Sequence, residues 1–342
     1  MNEARFILSK SKVLEQYCIM KGLADHVSYS FKTNIEVGKV LEEHTDSMFS
    51  VHTLDEMDLV KCTSRAWFIA QSLTEQELDC LFEKNIFGFI IDNLNDLNLL
   101  LDYLNKHHKK TNLLLRIRLR ENTIHTGKYF VFGFYSQQIN RLIPELRGNP
   151  NLNQLGIHFH RKTQNIAEWS LKEELQEAIS SENFKLINII NIGGGIPCKY
   201  KNFRAEVMEH IFSKIRDLKL FLNQQGIQMI IEPGRFIAAP SVKLETTITN
   251  IYDNTIIVNC SVYNSAMDTF VAHIRLLVEG ELEKGISYTL KGSTPCSMDI
   301  FRYSVFLDNP KVGDRIVFSN AGAYNFATDF CNLKKLRTII VD

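Results

Sequence analysis

This 342-residue chain has no surplus of either charge, no apolar run of membrane-spanning length and no CxxC pair. Lysine plus arginine number 39 and aspartate plus glutamate 39, so the formal net charge is zero. A neutral chain casts no global field towards nucleic acid or an anionic membrane surface, which leaves only a local patch for such partners. Without a run of roughly 20 apolar residues, no transmembrane helix is expected. The opening Met-Asn-Glu-Ala-Arg is not followed by the apolar core of a signal peptide. The cysteines (Cys18, Cys62, Cys80, Cys198, Cys260, Cys296 and Cys331) are odd in number and scattered. Such a set reads as reduced thiols in a cytoplasmic protein, and it argues against a structural zinc site.

What is present is a chain of ordinary globular composition, 45% apolar and 23% charged, long enough to expect two domains. From Val13 to Arg235, short apolar runs alternate with longer amphipathic stretches. The strand candidates are Val27–Phe31, Ser47–Val51, Ala66–Ala70, Gly88–Ile91, Leu113–Arg118, Gln154–Phe159, Leu186–Ile192 and Gln228–Ile231. Thr74–Lys84, Leu94–His107, Glu168–Ser180 and Ala205–Gln225 carry helical patterns between them. Buried strands separated by helices imply parallel βα units, and eight of them fit a (β/α)8 barrel over residues 1–235, an open sheet of six or seven being the alternative. After Arg235 the texture changes to short strand-like runs, Val242–Asn250, Thr255–Asn259, His273–Val278, Ser287–Lys291 and Arg315–Phe318. These predict an all-β unit over 236–342.

Polar residues with useful chemistry fall at the ends of the predicted barrel strands, the face where barrel enzymes gather catalytic groups. Lys32 directly follows an apolar strand. Desolvation there would lower its pKa and make it a competent Schiff-base nucleophile; the bland alternative is a lysine that snorkels to solvent. Asn191-Ile-Gly-Gly-Gly-Ile-Pro197 follows another strand. Three glycines allow a sharp turn that brings backbone N–H groups towards an anion such as phosphate, or merely a tight connection. Ile231-Glu-Pro-Gly-Arg235 puts a carboxylate, a rigid turn and an arginine in sequence. That suits a ligand cationic at one end and anionic at the other, as pyridoxal 5'-phosphate (PLP) is, although a local Glu–Arg pair would leave the same trace. Gly156-Ile-His-Phe-His160 ends a strand with two histidines; His160, nearer the end, is the ring expected to stack on a cofactor. A metal pair from His158 and His160 has no third ligand nearby in sequence.

Together, Lys32, His160, Gly193–Gly195, Glu232–Arg235, Pro-Cys-Ser-Met-Asp299 and Ala-Gly-Ala-Tyr324 occur in an order that resembles the fold-type III PLP-dependent decarboxylases. These include the ornithine, diaminopimelate, arginine and carboxynorspermidine decarboxylases. The resemblance implies an alanine-racemase-like barrel followed by a β-domain, a homodimer with shared active sites, and a PLP-dependent carboxy-lyase acting on an amino acid. By the same resemblance, Lys32 is the Schiff-base lysine and His160 stacks on the ring. Thr163, Gly193, Gly194, Gly195, Gly234, Arg235 and Tyr324 hold the phosphate, Glu232 meets the ring nitrogen, and Arg116 lies near the cofactor. Cys296 is the implied catalytic thiol, with Ser297, Asp299 and Tyr263 near the substrate.

Two departures bear on the substrate. An ungapped match of Gly292 to Asp299 puts Pro295 on the usual cysteine position and Cys296 one residue later; Ser297, rather than an acid, follows the thiol. Val258-Asn-Cys-Ser-Val-Tyr263 stands where relatives usually carry Asn-Asp-Gly before Val-Tyr. A simple ornithine or lysine substrate is therefore disfavoured, and a larger or acidic carboxylated amino compound is expected. An amino-acid racemase on the same fold and a non-catalytic PLP-binding regulatory homologue are the competing readings.

Overall fold

The computed structural model describes residues 3–119, 132–203 and 207–342. After the strand β1 (Arg5–Ser9), eight strands follow within the barrel region. They are β2 (His26–Ser30), β3 (Met48–Val51), β4 (Ala66–Ile69), β5 (Gly88–Ile91), β6 (Thr111–Arg116), β7 (Leu152–His158), β8 (Ile189–Asn191) and β9 (Gln228–Ile231). Several are buried at every position, as parallel strands sandwiched between core and helices must be. They pair in sequence order, and Val27 of β2 pairs with Ile231 of β9, so the sheet closes into a barrel. The expected (β/α)8 barrel is borne out and the open sheet is not.

Met48, Trp67, Ile90, Leu114, Ile189 and Ile230 form a separate buried cluster, each from a different strand. They fill the barrel interior as a layer of bulky side chains. Gly88 makes room for Trp67, since a Cβ there would lie 2.5 Å from the indole ring. The expected helices appear as Glu75–Glu83, Leu94–His107, Leu171–Ala178 and Met208–Asn223. Asn93 caps Leu94–His107 by accepting from the Asp96 N–H at 3.0 Å. Ser136–Arg147 is helical despite Pro144. The carbonyl of Asn140, left without its usual partner, accepts from Asn183 Nδ2 at 2.9 Å.

The second unit contains β10 (Val242–Tyr252), β11 (Thr255–Val258), β12 (Leu277–Val278), β13 (Ser287–Lys291), β14 (Ile300–Phe306), β15 (Arg315–Ser319) and β16 (Thr338–Val341). The strand order is β12-β15-β10-β11-β13-β14. β10 also pairs with β1, Phe6 opposite Leu244, and β1 pairs in parallel with β16. Along β10, Val242, Leu244 and Thr246 face the core while Lys243 is exposed. Glu245 bridges two neighbouring strands, meeting Arg5 at 2.9 Å and Arg315 at 3.1 Å. No described helix is long and apolar enough to cross a membrane.

Candidate active site

The carboxyl ends of the barrel strands and the loops after them enclose a cavity of about 410 Å³. Lys32 enters it from the 3-10 turn Phe31–Thr33 after β2, and His52 from the residue following β3. Arg116 comes from the end of β6, His158 and His160 from the end of β7, and Glu232 from just past β9. Thr163, Gly194, Gly195, Gly234, Arg235 and Tyr324 complete the wall. Residues about 200 positions apart thus meet because every barrel strand points the same way, and Tyr324 is brought in from the loop after the strand Arg315–Ser319, its N–H donating to the Thr33 carbonyl at 3.0 Å.

At the floor, Glu232 is buried and held by three side chains. Ser50 Oγ and Asn191 Nδ2 donate to its Oε1 at 2.6 and 2.9 Å, and His158 Nε2 lies 3.2 Å from Oε2. Burial opposes the charge, but His158 and the Ser50 and Asn191 donors outweigh it and hold the carboxyl far below the usual carboxylate range. Burial, reinforced by Arg116 and opposed by Glu232, pushes His158 below the usual imidazole range. A neutral ring donating from Nε2 leaves Nδ1 without a proton, and Nδ1 has no partner among the described residues. Both histidines therefore reach the site, where the sequence pointed to the ring of His160. Burial and then Arg116 keep His160 neutral as well. Its ring lines the cavity, and its Nδ1 accepts from the Gly194 N–H at 3.2 Å.

Lys32 is also open to the cavity while deeply set in the protein. Desolvation and Arg116 lower its pKa; Glu232 and Glu56 pull the other way, and the lowering wins. Lys32 Nζ lies 3.1 Å from His52 Nε2, and His52 Nδ1 lies 3.2 Å from Glu56 Oε2.

The glycine turn is a cradle that side chains would fill. Gly193 (φ +66°) and Gly195 (φ +100°) adopt the left-handed region. A Cβ on Gly193 would strike the Phe159 carbonyl, and one on Gly194 would come within 2.5 Å of the Glu232 carbonyl. Asn191 ties this turn to the floor, because its Oδ1 accepts from the Gly193 N–H at 2.9 Å while its Nδ2 serves Glu232. Gly234 packs against Thr33 Oγ1 with no space for a side chain. The buried Arg235 side chain pairs with Asp268, donates to Tyr200 Oη at 3.1 Å and reaches Thr163 Oγ1 at 3.4 Å. Its guanidinium also lies over the Tyr324 ring, 5.2 Å from the centroid.

Gly193 is buried behind the cavity wall, and four further expected residues lie elsewhere. Cys296, Ser297, Asp299 and Tyr263 do not line the cavity formed by this chain. Cys296 Sγ lies 3.3 Å from the Tyr263 hydroxyl, whose ring stacks on Phe330 at 3.9 Å. That hydroxyl, with the Met298 backbone, draws the thiol below its ordinary pKa. Ser297 is exposed. Asp299 is fully buried, and its carboxylate accepts from the Val262 N–H at 2.8 Å and from the Thr294 N–H and hydroxyl at 3.1 and 2.7 Å. Its hydrogen bonds tie its own loop, through Thr294, to the short helix that begins at Val262.

Sequence reasoning missed Ser50, His52, Glu56, Tyr200 and Asp268. The first two sit at the end of a predicted strand, Ser47–Val51, so the rule that singled out Lys32 could have found them. Nothing local marks Asp268, which meets Arg235 only through the tertiary fold.

An ionised carboxylate at the floor, a lysine with a lowered pKa, a neutral imidazole face and a glycine cradle form a donor set that fits PLP. Residues 20–239 match the family model for the pyridoxal-binding domain of pyridoxal-dependent decarboxylases. The chain belongs to that family, the fold-type III PLP-dependent decarboxylases. It is 24% identical to the diaminopimelate decarboxylase of Aquifex aeolicus over 74% of this chain and 64% of that protein. It is 23% identical to the 2-[(L-alanin-3-ylcarbamoyl)methyl]-2-hydroxybutanedioate decarboxylase of Staphylococcus aureus, over 74% and 70% respectively. The first of these matches thus spans less than two thirds of the relative's length. The solved lysine decarboxylase of Selenomonas ruminantium superposes with a TM-score of 0.81 at 20% identity, covering 99% of this chain and 93% of that one. At that identity the likeness speaks for the fold.

Proposed function

We propose that this chain removes the α-carboxylate of an amino-acid substrate with PLP seated in the barrel mouth. Glu232 carries the reading. An ionised carboxylate in the same cavity as a lysine of lowered pKa suits a ligand with a protonated ring nitrogen at one end and a covalent attachment point at the other. Lys32 would hold the cofactor through Nζ, with His160 against the ring and Arg116 beside it. Gly193–Gly195, Thr163, the Gly234–Arg235 turn and Tyr324 would take the phosphate. Once bound, PLP supplies the electron sink for the pair left by the departing carboxylate. Glu232 keeps the ring nitrogen protonated and so strengthens that sink. The cavity wall decides which α-carbon bond stands perpendicular to the ring, the choice that separates a decarboxylase from a racemase.

The same proposal takes the active enzyme to be a homodimer. Cys296 does not line the cavity of its own chain and lies beside exposed Ser297 and Met298, so in this reading it would serve a neighbour's site. Tyr263 supports the thiol, and Asp299 anchors the loop. No carboxylate follows the thiol to pair with a distal ammonium, which favours a larger or acidic carboxylated amino compound. Seven unpaired cysteines suit a cytoplasmic setting. The test is to incubate the PLP-loaded protein with a panel of amino acids while recording carbon dioxide release and α-proton exchange. Carbon dioxide with an amine product is expected from a carboxylated substrate. Proton exchange without carbon dioxide would make the protein a racemase, and neither, with PLP bound, a regulatory homologue.

A further inference from the structure

We propose that His52 is the proton-transfer partner of the cofactor lysine, taking a proton from Lys32 Nζ so that the amine can attack; this rests on the reading of Lys32 given above. His52 follows β3 directly and lines the cavity. Its Nε2 lies 3.1 Å from Lys32 Nζ. A short helix, Leu54–Met57, capped by the Thr53 side chain, turns Glu56 back onto it. Glu56 Oε2 accepts from the His52 backbone N–H at 2.7 Å and lies 3.2 Å from His52 Nδ1. The carboxylate thereby puts the ring proton on Nδ1 and leaves the Nε2 lone pair aimed at the lysine. Glu56 Oε1 is buried without a hydrogen-bond partner among the described residues. Its charge is consequently available to stabilise an imidazolium. The arrangement has the nucleophile, base and orienting acid of an activated-nucleophile triad.

The proton accounting is simple. The Lys32 ammonium passes one proton to His52 Nε2. The neutral amine then adds to the aldehyde carbon of PLP, a C=N bond forms, and the aldehyde oxygen leaves as water with the two remaining N–H protons. His52 can return its proton to the nitrogen. Arg116, His158, His160, Arg161, Glu232, Arg235 and Tyr324 share the cavity, with Lys32 and Glu56 adjoining the ring. The pH response belongs to this set, and the His52 contribution is the part that its replacement removes.

The experiment follows PLP attachment to cofactor-free protein by absorbance, with borohydride quenching and mass spectrometry to confirm Lys32 as the site. His52→Ala should attach PLP more slowly near neutral pH, on the order of 10²-fold. The gap should close as pH rises and the amine becomes neutral unaided, and added imidazole should restore part of the rate. His52→Gln keeps a carbonyl that can accept from Lys32 but cannot carry its proton, so it should remain slow. Circular dichroism checks that both variants fold. Wild-type rates in either variant overturn the proposal. So does slow attachment that neither pH nor imidazole relieves, because that marks a spacer and not a base. Wild-type protein with no adduct on Lys32 would instead overturn the cofactor reading itself, and this proposal with it.

Discussion

Glu232→Gln is expected to leave the protein folded and PLP-bound while turnover falls on the order of 10²-fold or more, about 2.7 kcal/mol of barrier. The substitution is nearly isosteric. Ser50 and Asn191 can still donate to the amide oxygen, as they do to Oε1 at 2.6 and 2.9 Å. His158 can switch tautomer and accept from the new amide, since its Nδ1 has no competing partner among the described residues. What disappears is the negative charge, which the surrounding donors hold far below the usual carboxylate range. Without it nothing keeps the ring nitrogen protonated. Steady-state assays give the turnover, and an absorbance titration gives PLP binding. Near-normal turnover would reduce Glu232 to a structural partner of the glycine turn.

Complementation between two inactive variants should be equally large in effect. Cys296→Ala is expected to slow or misdirect protonation of the α-carbon after carbon dioxide leaves, and Lys32→Ala to abolish turnover. If the Cys296 loop serves the neighbouring subunit, a mixed dimer gathers both defects in one site and leaves the other whole. Random exchange makes about half the dimers mixed, so activity should recover to about a quarter of wild type. No recovery, despite demonstrated exchange and two inactive parents, would mean that the thiol serves its own subunit. An active Cys296→Ala parent would move the search for the proton donor to His160 and Tyr263.

The barrel was legible because its strands are short apolar runs separated by helical patterns, and all eight appear within a few residues of where those runs lie. The β-unit was only partly so. β14 passed unnoticed because Arg302 interrupts its apolar run. That arginine is buried and matched by Glu281 at 2.7 Å and by the Leu276 and Ser304 carbonyls. β12 shrinks to Leu277–Val278 at the end of the expected His273–Val278, where His273 takes a left-handed φ of 52°. β1 and β16 pair across more than 330 residues, a contact no local pattern encodes. In the site, strand ends marked Lys32, His160 and Glu232, whereas the partners that set their charge, Ser50, His158 and Asn191, are arranged by barrel closure. Asp299 shows the opposite limit: a carboxylate expected near the substrate is buried and bonds to the Thr294 N–H and hydroxyl of its own loop and to the Val262 N–H of a neighbouring helix.

The most direct test of the whole account is chemical. Protein incubated with PLP should show an absorbance band that borohydride bleaches, and peptide mass spectrometry should then place a phosphopyridoxyl group on Lys32. An adduct on another lysine, or none on protein shown to be folded, would contradict the assignment of the barrel mouth as a PLP site.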